Sequence, residues 1–253
     1  MMAEDFWFWL LAVLATLFVG SSKGGLPLIG MLSVPLMALQ ISPVVAAGLL
    51  LPIYIVSDVY GLWLYRKSYD LRNIKIIVPA AAIGIMIGWA TVSITSDDLV
   101  KLFVGVIGLV YCADAVMKAR RVIAPRPADL PRGIFWGSIA GFTSFVSHAG
   151  APPYQMYVLP QRLEKMVYAG TSTIVFAIIN LLKLPPYWFL GQVNLGSLRT
   201  AVILAPIAII GAFVGFRLTK ILPEKAFFRI VEIALFLVSL KLIYDGVVGL
   251  TNG

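Results

Sequence analysis

Eight apolar stretches, separated by short polar connections, fill the chain: residues 6–39, 44–65, 74–94, 99–117, 133–159, 166–184, 198–218 and 226–250. Six of them have the length of one bilayer crossing, about 20 residues. The pattern predicts an all-α polytopic membrane protein whose single membrane domain occupies residues 1–253. The first and fifth stretches are interrupted. The first is broken by Gly20-Ser21-Ser22-Lys23-Gly24-Gly25-Leu26-Pro27, the fifth by Ser144-Phe145-Val146-Ser147-His148-Ala149-Gly150-Ala151-Pro152-Pro153. Glycine weakens a helix, and proline can begin one but not continue it. Each interrupted stretch is therefore expected to be two half-helices joined by irregular backbone, with the break near the membrane midplane.

The two breaks occupy matching places in an internal repeat. An offset of about 125 residues carries Gly25 to Gly150, Pro27 to Pro152 and Pro35 to Pro160, and a slightly larger one carries Leu71-Arg72 to Leu198-Arg199, Pro79 to Pro206 and Gly84 to Gly211. Repeat one spans about 6–117 and repeat two about 133–250. The linker, 118–132, contains Pro125, Pro127 and Pro131. Charge decides between two topologies. If all eight stretches cross, 12 cations face 7. If the first and fifth re-enter, 15 cations share one side, against Lys101, Lys183, Arg199 and Lys241 on the other. Cationic loops stay cytoplasmic, so the re-entrant arrangement is preferred. It inverts the second repeat and puts both termini outside, together with Glu4, Asp5, Asp97, Asp98 and Asp245. Inverted repeats with broken helices are a recurring transporter plan.

Composition agrees. The chain is 60% hydrophobic and 13% charged, against about 45–50% and 25% for soluble domains, and its mean hydropathy is +0.94. The net charge of +8 sits in loops, which is a topology signal rather than a nucleic-acid footprint. Glu4 and Asp5 stand where a signal peptide would carry positive charge. The lone Cys112 forms no internal disulfide and suggests no metal site. Neither a nucleotide-binding loop nor a hydrolase or metalloprotease motif is present, so no cofactor and no ATP coupling is expected.

The chemistry is expected at the breaks. Irregular backbone within a bilayer is tolerated only where protein or a watery cavity satisfies it. Half-helix N-termini beginning near Pro27 and Pro152 would direct N–H groups at an anion. Gly24, Gly25 and Gly150 would allow close approach, and Ser21, Ser22, Ser144 and Ser147 would add hydroxyls. Lys23, placed by the repeat within the apolar region, would pair with a bound anion, unless the tip is shallow and the side chain snorkels. His148, the only histidine, would donate to the anion, take a proton during transport, or serve packing alone. Tyr154 and Gln155 follow on the next half-helix. Thr173 and Asn180, seven residues apart beyond Thr171 and Ser172, share one helix face. Asp58, one turn beyond Tyr54, is either a coupling group or a shallow partner of Arg66 and Lys67.

The first break with its following Val34-Pro35, the second break from Ser147 to Pro153, and Tyr168-Ala-Gly-Thr-Ser-Thr173 with Asn180 together resemble the TauE/SafE family of sulfite and organosulfonate exporters. The likeness extends from about Phe6 to Val247, although the family's longer first glycine run is interrupted here by Ser21, Ser22 and Lys23. The resemblance implies a permease of the bacterial inner membrane that moves small, often sulfur-containing anions without ATP. A secondary transporter for such anions is therefore the expected function, with a passive anion channel and an intramembrane enzyme built on His148, Ser147 and Asp58 as alternatives. The expected partners are the small anion and the lipid bilayer. Gly105 and Gly108 would pack helices either within one subunit or between two, which leaves a homo-oligomer open.

Overall fold

The computed structural model describes residues 6–92, 96–119, 125–221 and 223–252. Glu4, Asp5, Arg120 and Arg121 of the charge argument lie outside the described residues, as do the side chains of Asp97, Lys118 and Lys225. Among the described residues eleven α-helices follow one another, with no strand: α1 (Phe6–Lys23), α2 (Pro27–Gly30), α3 (Ser33–Met37), α4 (Pro43–Tyr65), α5 (Leu71–Thr91), α6 (Asp97–Ala119), α7 (Leu130–Ser147), α8 (Ala151–Val158), α9 (Lys165–Phe189), α10 (Leu195–Ile221) and α11 (Glu224–Asn252). Five of them, α1, α4, α5, α9 and α10, are long and apolar enough to cross a bilayer. The protein is an all-α multi-pass membrane protein.

Helix ends fall where local chemistry puts them. Ser42 caps α4, its hydroxyl accepting from the Val45 N–H at 3.3 Å, with Pro43 as the first helical residue. Asp70 caps α5 through the Asn73 N–H at 2.7 Å, and Asp129 caps α7 through the Arg132 N–H at 3.0 Å. Each side chain satisfies a backbone donor that the first turn leaves open.

Both interrupted stretches fold back on themselves. After α1 the chain turns at Gly24-Gly25-Leu26, and α2 and α3 return along α1, so that the Ser33 hydroxyl donates to the Ala15 carbonyl at 3.0 Å. After α7 it turns at His148-Ala149-Gly150, and α8 returns until the Tyr157 hydroxyl reaches the Asp129 carbonyl at 3.0 Å. The expectation of paired half-helices needs correction in both hairpins. There α1 and α7 each run 18 residues unbroken, about 27 Å at the α-helical rise, while the return limbs are only the short helices α2 and α3 and the eight-residue α8. The reason is the position of the break: Gly24-Gly25 comes a full crossing after Phe6. The first turn therefore lies beyond mid-helix depth, with Gly61 of α4 packed against Lys23.

Contacts give the direction of every helix. Gly48, Asp58 and Gly61 of α4 meet Gln192, Asn180 and Thr173, so α4 and α9 are antiparallel. Gly133, Gly137 and Gly141 of α7 lie in turn against Ile76, Ala80 and Ala81, so α5 and α7 are parallel. Leu17, Gly20 and Gly24 lie against Gly211, Ala212 and Gly215, so α1 and α10 are parallel. Gly105 meets Ser239 and Ile243, and Gly246 meets Leu102, so α6 and α11 are antiparallel. The hairpin begun by α1 thus enters from the face where α4 begins, and the hairpin begun by α7 enters from the face where α4 ends. Helix α5 packs chiefly on α7, and α10 chiefly on α1.

Candidate functional site

The two hairpins, α4 and α9 enclose a small cavity. Its walls are Ser22, Lys23, Pro27 and Gly30 from the first hairpin, Ser144, His148 and Ala151 from the second, Tyr54 from α4, and Ser172, Thr173, Phe176 and Asn180 from α9. Its volume is about 20 Å³, room for about one water molecule.

Lys23 ends α1 and is 3% exposed. Its ammonium lies 2.7 Å from Asp58 Oδ1, with the Tyr54 ring at 5.0 Å and the Phe176 ring at 5.9 Å. Neither snorkelling nor a shallow pair of Asp58 with Arg66 or Lys67 occurs: Asp58 is 4% exposed, and its other oxygen accepts from Asn180 Nδ2 at 2.8 Å. Oδ1 meets Lys23 as an ion pair off the ideal hydrogen-bond direction. Two charges held this far from water carry a desolvation cost of several kcal/mol each. That cost makes the pair weak evidence of stability and better evidence of a role.

A second buried lysine stands behind the wall opposite Lys23, bonded to it but outside the lining itself. Lys183 is fully buried, and its ammonium contacts the Ser144 carbonyl at 3.1 Å, the Ser144 hydroxyl at 3.2 Å and His148 Nδ1 at 2.6 Å. His148 Nε2 lies 2.9 Å from the Ala47 carbonyl. A carbonyl can only accept, so Nε2 carries the proton and Nδ1 accepts from the lysine. Both ring nitrogens are thereby committed in the neutral form. The Tyr54 ring stacks on the imidazole at 4.6 Å. His148 caps α7 with φ 55°, a left-handed conformation uncommon for residues other than glycine, and its place on the cavity wall goes with that turn.

Ser22, Lys23, His148, Thr173 and Asn180, singled out in the sequence, meet at the cavity. Others do not. Ser21 is turned to α10, its hydroxyl donating to the Gly211 carbonyl at 3.2 Å. Ser147 donates to the Thr143 carbonyl of its own helix at 3.5 Å. Gly24 and Gly25 form the turn: the Gly24 carbonyl accepts from the Tyr65 and Thr219 hydroxyls at 2.6 and 3.0 Å, and Gly25 adopts φ 108°, which glycine does without strain. Gly150 caps α8 behind the wall, against Ala140. Gln155 is buried away from the cavity, with no hydrogen-bond partner for its amide among the described residues.

Lys183 is the residue that sequence reasoning misplaces. The apolar run stops at 184 because Pro185-Pro186 follow, and that puts Lys183 among loop cations. The helix instead continues to Phe189, since in lipid a helix that loses two N–H groups is still better satisfied than a loop. The available signal was spacing: Thr173, Phe176, Asn180, Lys183 and Tyr187 recur every three or four residues, one face of α9.

The family model described as Sulfite exporter TauE/SafE matches residues 9–242, nearly the whole chain. Neither the curated proteins nor the solved structures provide a match.

Proposed function

Because the chain belongs to the sulfite exporter TauE/SafE family, we propose that this membrane transporter moves small anions, sulfur oxyanions or organosulfonates, through the cavity between its two hairpins. The observation that carries this reading is a buried lysine on the cavity wall, Lys23 at the end of the first hairpin's long limb, with a second buried lysine, Lys183 of α9, bonded to the opposite-wall residues Ser144 and His148. Around the cavity stand the Ser22 and Thr173 hydroxyls, which donate to the Val19 and Lys23 carbonyls, and the Asn180 amide, which donates one hydrogen to Asp58. Buried cations of this kind cost too much to keep unless something anionic answers them.

The cavity admits one water and no sulfonate, which favours alternating access over a standing channel. The two halves, 6–117 and 133–250 joined by 118–132, act as inverted repeats, and rearrangement of one hairpin against the other opens the cavity to each side in turn. Helix directions support this, because α1 and α7 enter from opposite faces and each packs on a helix of the other half. The face bearing Arg66, Lys67, Arg72, Arg132, Arg162 and Lys165 is cytoplasmic by its charge, in a bacterial inner membrane.

The test is uptake of radiolabelled sulfite, taurine-like sulfonates and thiosulfate into proteoliposomes. Saturable uptake of at least one is expected, with at least a tenfold loss in Lys23→Met and in Lys183→Met. Unimpaired uptake in both variants would remove the site.

A further inference from the structure

The Lys23–Asp58 pair presents one face to the cavity and one away from it. Lys23 forms part of the cavity wall and Asp58 does not, so the carboxylate holds the ammonium from behind while its cavity side stays open to a ligand. We infer that Asp58 is the proton carrier of the transport cycle: an entering anion takes its place on the Lys23 ammonium, the released carboxylate binds one proton, and anion and proton cross together. This rests on the reading of the cavity as an anion site.

The balance is simple. The Lys23 Nζ contact to Asp58 Oδ1, 2.7 Å long, breaks, and an Nζ contact to an oxygen of the anion forms. A hydronium ion on the open side gives one proton to Oδ1, its own O–H bond breaking as the carboxyl O–H forms, and on the far side that proton returns to water as Lys23 and Asp58 pair again. Before the exchange the buried charges are Lys23 and Asp58. Afterwards they are Lys23 and the anion, with Asp58 neutral. Lys183 keeps the same partners throughout, so for a singly charged anion the net charge of the site is the same in both states, and the exchange adds no further unpaired charge to a low-dielectric interior.

The neighbours leave Asp58 no other way to settle its charge. Lys23 faces it from α1. Asn180 faces it from α9 and is a neutral donor, at 2.8 Å from Oδ2. Lys183, also on α9, is engaged by Ser144 and His148. Tyr54, one turn earlier on α4, donates its hydroxyl to the Gly30 carbonyl at 2.7 Å. Helix α10 carries its charged residues, Arg199, Arg217 and Lys220, toward its two ends, α7 carries Arg132 in its first turn, the described charged side chains of α6 are Asp98, Lys101 and Asp114, and α3 carries none. A buried carboxylate stripped of its cation and left with one amide donor takes up a proton rather than remain charged. His148 cannot take this part, because both its ring nitrogens are committed. It is a positioning residue on the cavity wall that holds the Lys183 side chain behind it.

The experiment uses the full chain in proteoliposomes with radiolabelled isethionate, the anion of a strong acid, and with sulfite. With the outside one pH unit more acid, one-for-one coupling gives about tenfold accumulation of isethionate, and an entrapped pH dye reports one proton entering per anion. Asp58→Asn imitates the protonated carboxyl permanently. It is expected to exchange label across the membrane but to accumulate none above the external concentration. Asp58→Glu keeps a titratable group and is expected to keep the response to pH. Sulfite's own titration is the same for every variant, so a difference between them belongs to residue 58. Wild-type isethionate uptake without proton entry, or Asp58→Asn accumulating either anion as the wild type does, overturns the inference and leaves the transporter standing. The wild-type proton measurement decides the matter even if Asp58→Asn fails to fold. Uptake of neither anion by folded wild type overturns the anion reading and this inference with it.

Discussion

Removing Lys23 and removing the whole Lys23–Asp58 pair should have different effects on stability. In Lys23→Ala the carboxylate of Asp58 keeps only Asn180 as a partner, and breaking one side of a buried pair costs about 3–5 kcal/mol. Replacing both residues by apolar ones of similar volume removes the desolvation cost along with the attraction and is often neutral. Lys23→Met/Asp58→Leu should therefore unfold near the wild-type temperature, and Lys23→Ala well below it, with neither transporting. Thermal unfolding of the purified variants in detergent measures this, and equal stability of the single and double variants would show that the pair is not held as described. The sequence revealed the residue types here better than their pairings. Lys23 was legible because a cation inside a repeat-matched break, deep in an apolar stretch, is too costly to sit there without a counter-charge or a ligand. Its partner was not, since Asp58 lies 35 positions on in another helix and Arg66 and Lys67 offered nearer candidates. Ser21 and Ser22 are adjacent, yet one serves α10 and the other the cavity, a division made by helix rotation.

Among the helices, glycine governs how closely two can approach. Gly141 of α7 lies directly on the Ala81 backbone of α5, Gly84 of α5 on the Ser138 carbonyl of α7, and Gly88 on the Phe145 ring. Small residues at such contacts let backbones meet, which is the chief source of helix association in lipid. A side chain at Gly141 has nowhere to go but into the Ala81 main chain. Gly141→Leu should force α5 and α7 apart at a cost of about 1–3 kcal/mol or more, whereas Gly191→Ala, in a loop where a Cβ would meet nothing within 4 Å, should cost only the strain of its positive φ. Unfolding temperatures of the two variants check the contrast, and a Gly141→Leu protein as stable as Gly191→Ala would contradict the packing. The existence of the helices was plain from the apolar stretches, because a bilayer dictates both their length and their composition. The limb lengths of the first hairpin were not. A glycine pair marks where a helix stops but says nothing about how much of the return limb re-forms as helix, and here only α2 and α3 do.

At the scale of the whole molecule the two halves are interlocked, since α5 rests on the hairpin of the second half and α10 on that of the first. That exchange ties the direction of each hairpin to the sidedness of the entire chain. If α1 and α7 enter from opposite faces, then the loop after α4 and the start of α9 share one face, as the Asp70 N–H donating to the Thr171 hydroxyl at 2.8 Å requires, while the turn before α10 lies on the other. The cations follow the same division: among the described side chains Arg66, Lys67, Arg72, Lys75, Arg126, Arg132, Arg162, Lys165, Arg217, Lys220 and Arg229 lie on the first face, and Lys101, Arg199 and Lys241 on the second. Lys183, withdrawn among the helices, no longer counts for the second face, and cationic loops stay in the cytoplasm. Single cysteines at Lys67 and at Leu195, both exposed, in a chain whose buried Cys112 is replaced by alanine, should therefore react differently in intact cells. A membrane-impermeant maleimide should label Leu195→Cys at once and Lys67→Cys only after the membrane is opened. Labelling of both before opening would mean that the chain inserts in two orientations, which a charge bias this strong opposes. Labelling of Lys67→Cys alone would reverse the sidedness while leaving the hairpins and the cavity between them unchanged.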